Sequence, residues 1–217
     1  MAILALVLAG CGQAWPSVAI GELIKKHFVA SFQRVGSFKI EGKQKQGGNV
    51  ATYFCAPDGR VLNAIAGPVD AKTMREEAEW TIHKTREAIK ESKGNADKFK
   101  ALLRTYHAER LQERYGARVT PILKDQAMQN LATALAYRDA DGRKLAPVLP
   151  LPTIENQGEL RQLPNIAKTH QLLAAHAGAK IENLYGAVFQ GILNEKVTTK
   201  PVQVKTPFPW QKEANAR

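Results

Sequence analysis

The chain has 217 residues, of which 44% are apolar and 24% are charged, as is ordinary for a globular protein of one large or two small domains. Its net charge of +11 favours an anionic partner, such as nucleic acid, a membrane surface or an acidic protein, although a basic solvated surface is the simpler interpretation. Two cysteines exclude a small disulfide-rich fold, and no run approaches the roughly 20 apolar residues of a transmembrane helix.

The first eleven residues form an apolar run that ends in Leu8-Ala9-Gly10-Cys11. A central strand of a parallel sheet is a continuous apolar run of this kind. The last four residues also resemble the cleavage box of a bacterial lipoprotein, but a signal peptide begins with positive charges and none precedes this run. We therefore favour a strand and a cytoplasmic protein. The alternatives are an envelope lipoprotein, or a true N-terminus that is longer.

The next 40 or so residues are predicted to contain a helix, a strand and a loop. A short helix begins at Pro16 or Ser17, because apolar residues up to Ile24 recur on one side. Over residues 27–33, Phe28, Ala30 and Phe32 occupy every second position, and this alternation indicates a strand. Residues 36–48 are polar and predict a basic loop with a short strand at 38–40. The lysines of this loop are Lys39, Lys43 and Lys45.

A β-hairpin that leads into a long helix is the clearest local pattern. Val50 to Phe54 is β-branched and aromatic, and Val61 to Ala66 is a second apolar run. The Ala56-Pro57-Asp58-Gly59 segment between them has the residues of a tight turn. Asp70 is predicted to cap the helix that follows, which continues to a break near residues 91–96.

The order strand, helix, strand, loop, strand, strand, helix resembles the thioredoxin-like fold. Within the hairpin, the residues that match the pattern of thioredoxin-family proteins are Tyr53-Phe54, Pro57-Asp58-Gly59, Arg60-Val61-Leu62 and Gly67, followed by the helix from Ala71. The resemblance covers roughly residues 3–90. It implies an α/β fold with a thioredoxin-like mixed sheet and flanking helices over residues 1–93. A mostly α-helical extension over residues 94–217 follows.

The chain departs from this family at its redox landmarks. The family has Cys-x-x-Cys where this chain has Cys11-Gly12-Gln13-Ala14, so the resolving cysteine is replaced by Ala14. A disulfide oxidoreductase needs that second thiol to release a mixed disulfide. Val50 occupies the position of the family's cis-proline, and we expect a trans peptide bond there because a non-proline cis bond costs about 3 kcal/mol.

Two interpretations of Cys11 stay open. At the beginning of a helix, the dipole and free N–H groups would stabilise a thiolate that could form mixed disulfides, sense oxidants or attack a substrate. Otherwise Cys11 is a buried cysteine that serves as a small apolar residue. The expected catalytic residue is Cys11, and the expected binding residues are Trp15, Lys39, Lys43 and Lys45.

Cys55 is predicted to be structural. The resemblance implies that its strand runs antiparallel to the strand before Cys11, which puts the two sulfurs near opposite ends of the sheet. Five residues at about 3.4 Å each separate them by on the order of 15 Å, beyond the reach of a disulfide. We therefore predict no bond between Cys11 and Cys55.

The rest of the chain is predicted to be helical and basic. Helices are expected over 97–115, from Thr120, over 165–176 and over 181–195, with a Pro-rich connector at about 138–164 and a Pro- and Lys-rich tail at about 197–217. Glutamates interleave with the basic residues at helical spacing, which favours surface ion pairs over a phosphate-binding track.

Sequence motifs for cofactors and metals are missing. The five histidines show no metal-binding spacing, and the chain has no phosphate-binding loop, dinucleotide fingerprint or nucleophile elbow. No cofactor and no metal is expected. The leading hypothesis is a non-catalytic interaction module with a protein partner. A single-cysteine thiol-redox or redox-sensing protein is the alternative, and a basic nucleic-acid-binding protein is less favoured.

Overall fold

The computed structural model describes residues 4–9, 18–32, 39–41, 44–46, 49–119, 148–156 and 162–195. These residues form an α/β architecture of helices packed on a mixed sheet. The strands are β1 (Leu4–Ala9), β2 (Phe28–Phe32), β3 (Lys39–Glu41), β4 (Gln44–Gln46), β5 (Ala51–Cys55) and β6 (Val61–Ala66). The helices are α1 (Val18–His27), α2 (Ala71–Ser92), α3 (Ala96–Tyr115), α4 (Asn165–His176) and α5 (Ile181–Gly186), which continues as a π-helical segment, Ala187–Ile192.

The main sheet has four strands in the order β2-β1-β5-β6. β1 pairs with β2 in parallel and with β5 antiparallel, in a register that sets Ala5 opposite Cys55 and Ala9 opposite Ala51. The predicted strand at the N-terminal run and its antiparallel pairing with β5 are thus confirmed. β3 and β4 form a separate two-stranded sheet, so the basic loop predicted over 36–48 contains a hairpin instead of one short strand.

The β5–β6 hairpin has the turn that its sequence predicts. The Gly59 amide donates to the Ala56 carbonyl at 2.9 Å, and Gly59 has a φ of 81°, a conformation that glycine adopts without steric penalty. Asp58 accepts hydrogen bonds from the backbone and side chain of Arg60. The peptide bond before Val50 is trans, as expected.

Asp70 caps α2 as predicted, since its Oδ1 accepts the Thr73 amide hydrogen at 2.7 Å. α2 ends at Ser92, and α3 begins at Ala96 after the expected break. The prediction of a single helix over 181–195 is wrong in its second half, which is π-helical because the last amides bond five residues back, as Leu193 does to Val188. The predicted helix from Thr120 and the tail lie outside the described residues.

The helical part of the chain shares a hydrophobic core with the sheet. Ile20 of α1, Phe54 of β5 and Ile65 of β6 belong to one buried cluster with Leu103 of α3 and Leu172 of α4. α4 packs against both α3 and β6, while α2 packs against α1, α3 and β6. The extension therefore lies on the sheet. None of the helices in the described ranges combines the length and apolar character that crossing a bilayer requires.

Candidate functional site

Most of the residues expected to carry function lie outside the described part of the chain. Cys11, Trp15 and Lys43 fall in gaps, and only the backbones of Lys39 and Lys45 are described, within β3 and β4. Residue 11 follows the end of β1 at Ala9 and precedes the beginning of α1 at Val18. In the thioredoxin-like fold that the sequence resembles, the reactive cysteine is expected in this connection.

Cys55 is a free, buried cysteine at the end of β5. Burial raises the pKa of its thiol to about 12, and the negative charge of Asp58 acts in the same direction. The thiol therefore stays protonated and unreactive at neutral pH. Its position opposite Ala5, at the beginning of β1, is at the far end of the strand that leads to residue 11.

A polar cluster that the sequence analysis did not predict lies where α2, α3 and α4 meet β6. Its central groups are Glu77, His107 and His170, which are all completely buried. The side chains around them belong to Asn63, Trp80, Thr81 and Arg110. We call these seven residues the histidine–glutamate cluster.

Glu77 is the anion of this cluster. Its Oε2 accepts a hydrogen bond from Asn63 Nδ2 at 3.0 Å, and its Oε1 accepts one from Arg110. Arg114 adds a longer contact to Oε1 at 3.4 Å and pairs with Glu76 at 3.0 Å. Burial acts to raise the pKa of Glu77, but its contacts with His170 and Arg110 lower it to about 2. The carboxylate is therefore ionised across the physiological range.

The two histidines connect Glu77 with the backbone of the sheet. His107 Nε2 lies 2.8 Å from the Leu62 carbonyl oxygen, and His107 Nδ1 lies 2.8 Å from His170 Nδ1. His170 Nε2 lies 3.3 Å from Glu77 Oε2, which is an ion-pair distance without the alignment of a hydrogen bond. Burial lowers the pKa of both imidazoles, and that of His107 lies well below its ordinary value.

Trp80 packs against both imidazoles of the cluster. Its ring lies 4.9 Å from the ring of His107 and 5.3 Å from that of His170, measured between centroids. The Arg110 guanidinium lies 4.8 Å from the Trp80 ring centroid, so the same cation contacts both a carboxylate and an aromatic face. These contacts fix the imidazoles between an aromatic ring and an ion pair.

The chemistry of this cluster is internal to the protein. A substrate cannot reach Glu77, His107 or His170, because none of them has exposed surface. Among the described ranges, no group of three or more His, Cys, Asp or Glu side chains could hold a metal ion. The cluster can bind and move protons, and it can tie three helices to one strand.

Two features of the sequence could have indicated this cluster. Asn63 interrupts an otherwise apolar strand, and Glu77 falls on the helix face that carries Met74, Ala78 and Ile82. Buried polar side chains of this kind need partners. Asn63 finds its partners on α2, 14 and 18 residues later, whereas those of Glu77 come from the more distant helices α3 and α4. No local pattern could therefore identify His107 or His170.

A shallow, open groove lies on the surface between α1 and α2. Its lining residues are Glu22, Leu23, Lys25, Lys26 and Arg75. Lys25 contacts Glu22 at 3.4 Å, and Arg75 binds Glu79 at 2.8 Å; all four side chains are exposed. Surface pairs of this type are weak, so they leave the cations free to exchange partners. The groove is therefore a basic concave surface.

No family model, curated protein or solved structure matches this chain.

Proposed function

We propose that this chain is a non-catalytic interaction module of thioredoxin-like architecture, with a protein as its partner. The observation that supports the proposal is the burial, within the described part of the chain, of the central groups of the histidine–glutamate cluster and of the Cys55 thiol. Glu77, His107 and His170 are fully buried, and Cys55 is buried with a raised pKa. The antiparallel pairing of β1 with β5 and the hairpin of β5 with β6 support the thioredoxin-like assignment.

The basic groove between α1 and α2 is the surface that we assign to the partner. Three of its five lining residues are cations, Lys25, Lys26 and Arg75, and Leu23 adds an apolar contact. Such a surface fits an acidic peptide segment, since charge complementarity guides association and excludes basic partners. The overall charge of +11 acts in the same direction.

A fluorescent decaglutamate peptide tests this assignment at low salt. The wild-type chain is expected to bind it, and the double variant Lys25→Glu/Lys26→Glu to lose at least about tenfold in affinity. The control is Lys90→Glu/Lys98→Glu, which makes the same change in net charge at exposed positions on α2 and α3. Equal losses in both variants, or no binding by the wild type, would overturn the assignment of the groove.

Single-thiol chemistry at Cys11 is the second candidate. The observation that favours it is the position of residue 11 between the end of β1 and the beginning of α1. The test is the alkylation rate of Cys11 against pH, followed by mass mapping of the wild-type chain, in which Cys55 stays unmodified because its thiol is buried. A thiol pKa well below about 8.5 supports the candidate. A slow reaction in the folded protein rejects it.

Nucleic-acid binding has less support. The described arginines of α3 that could line a phosphate-binding surface include Arg110 and Arg114, and both are in ion pairs with α2 carboxylates. Arg110 is also largely buried against Trp80. A phosphate would have to compete with Glu76 and Glu77 for these groups, so α3 is better suited to hold the fold together.

A further inference from the structure

The two buried histidines lie on a continuous line of polar contacts between two acceptors. The Leu62 carbonyl oxygen is at one end, and the Glu77 carboxylate is at the other. Between them are three contacts: carbonyl to His107 at 2.8 Å, His107 to His170 at 2.8 Å, and His170 to carboxylate at 3.3 Å. A carbonyl and an ionised carboxylate accept hydrogen bonds and cannot donate them.

This line has three polar contacts, but two neutral imidazoles together carry only two N–H hydrogens to fill them. Each of the three contacts needs one hydrogen between its heavy atoms, whereas a neutral imidazole carries one N–H. Two neutral rings therefore fill two contacts and leave the third empty. The complete line therefore requires one additional proton.

The geometry identifies the contact that is empty in the neutral state. The Leu62 carbonyl can only accept, so His107 carries its hydrogen on Nε2 and its Nδ1 is an acceptor. The short contact between the two Nδ1 atoms then requires His170 to carry its hydrogen on Nδ1. This leaves His170 Nε2 as a lone pair that faces Glu77, at the longest and least aligned of the three contacts.

We propose that His107 and His170 form a buried binding site for a single proton, and that the vacant position is Nε2 of His170 opposite Glu77. The proton comes from solvent and adds to the Nε2 lone pair, which converts neutral His170 into an imidazolium paired with the Glu77 carboxylate. No bond between heavy atoms changes. A second proton is excluded, because on His107 Nδ1 it would meet the Nδ1–H of His170 across 2.8 Å.

The charged and titratable groups around the site come from every element that packs on it. α2 contributes Glu77 and, one residue before it, Glu76. α3 contributes Arg110, Arg114 and Tyr115, whose pKa is raised by burial and, to a smaller extent, by Glu77. β6 contributes the neutral Asn63 amide. The two arginines oppose the new positive charge, and the carboxylate favours it. The net effect of burial and these neighbours is a pKa of His170 below its ordinary value, so proton uptake requires a lower pH than it does for an exposed histidine.

Proton uptake changes how the helices are held. In the neutral state, the Nε2 lone pair of His170 on α4 faces the negatively charged carboxylate of Glu77 on α2. In the protonated state, α4 and α2 are joined by a buried ion pair. The charge must also be buried, and the lowered pKa of His170 means that this penalty exceeds the gain of the pair. Acid therefore loosens the fold while it completes the line of contacts.

The test is a histidine ¹⁵N NMR titration of the full chain, in which nitrogen shifts report the tautomer of each ring. At pH 7.5 we expect His107 with its hydrogen on Nε2 and His170 with its hydrogen on Nδ1. On acidification below about pH 6.5 we expect His170 to become an imidazolium while His107 stays neutral. His170 with its hydrogen on Nε2 at pH 7.5, both rings charged, or neither ring charged before unfolding would each overturn the proposal.

A pair of variants on α2 tests the part played by the carboxylate. Glu77→Gln is expected to lower the titration midpoint of His170 by at least about one pH unit, because the charge that favours the imidazolium is removed. Glu79→Gln is the control on the exposed face of the same helix, and it is expected to leave the midpoint unchanged. Equal shifts in both variants would contradict the proposal. If Glu77→Gln does not fold, the tautomers of His107 and His170 in the wild-type ¹⁵N titration test the proposal on their own.

Discussion

The imidazole of His107 on α3 donates its Nε2 hydrogen to the carbonyl oxygen of Leu62 on β6, at 2.8 Å. β6 is an outer strand of the four-stranded sheet, and outer strands carry backbone groups that need partners. The neighbouring Val61 bonds to the segment after α4, through Ala179 and Gly178. The helical extension therefore covers this edge of the sheet with a side chain and a short backbone bridge.

Replacement of His107 is expected to destabilise the fold. In His107→Leu, the Leu62 carbonyl and His170 Nδ1 would both lose their buried partner, and each such loss costs about 1–3 kcal/mol. We expect the free energy of unfolding to fall by about 3 kcal/mol in urea titrations. His83→Leu is the control, since His83 lies on α2 with a side chain 78% exposed and should change stability by less than about 0.5 kcal/mol. Comparable effects of the two substitutions would contradict the edge-covering role.

The ion pair of Glu77 is expected to matter far more than a surface pair on the same helix. Glu77→Ala leaves the largely buried Arg110 without its carboxylate, and breaking a buried pair in this way costs about 3–5 kcal/mol. Glu79→Ala removes the exposed pair with Arg75, for which the cost is about 1 kcal/mol or less. Chemical unfolding of both variants measures the difference. A loss for Glu77→Ala no larger than that for Glu79→Ala would show that the cluster adds little to stability.

The sequence predicts the parts of this fold that depend on neighbouring residues. The turn at Gly59 and the cap at Asp70 follow from residue types that act within four positions along the chain. The strands β5 and β6 likewise follow from short apolar runs. The structure places all of these within one or two residues of their predicted positions.

The histidine–glutamate cluster could not be predicted in the same way. His107 meets Leu62 across 45 residues and His170 across 63, so their partners depend on how α3 and α4 pack. The π-helical segment was missed for a related reason, because its apolar stripe has the spacing of an α-helix. Cys11 and Trp15 remain predictions, since both lie outside the described residues.

Acid is expected to destabilise the protein in two successive ranges. His176 has a pKa lowered by burial to about 4, so the unfolded state binds a proton more readily and stability falls as the pH decreases from 6.5 to 4. Glu77, with a pKa of about 2, contributes stability that is present above pH 4.5 and is lost as the pH falls toward 2. Across each full range, the free energy of unfolding is expected to fall by about 3 kcal/mol.

Urea unfolding at a series of pH values measures this dependence. The variant His176→Gln keeps a donor for the Pro150 carbonyl, which lies 3.2 Å from His176 Nε2, but it cannot be protonated. It should therefore reduce the slope between pH 6.5 and 4 and leave the slope below pH 4 unchanged. Stability that rises as the pH falls from 6.5 to 4 would contradict the assigned direction.

The segment after α4 approaches α3 so closely that a methyl group does not fit. Gly178 has a φ of 79°, and a Cβ atom built there would lie 2.8 Å from Lys100 Cγ. Gly94 has a φ of 84° with no atom within 4 Å of such a Cβ, so Gly94→Ala reports the backbone strain alone, about 1 kcal/mol. Gly178→Ala is expected to cost about 2 kcal/mol, because the Lys100 side chain must also move.

A double-mutant cycle separates the two contributions. Lys100→Ala removes the Cγ atom that the new methyl group would meet, so in that background Gly178→Ala should cost no more than Gly94→Ala does. The measured quantity is again the free energy of unfolding in urea. Additive effects of the two substitutions would mean that the cost of Gly178→Ala does not arise from contact with the Lys100 side chain, which would contradict the predicted clash.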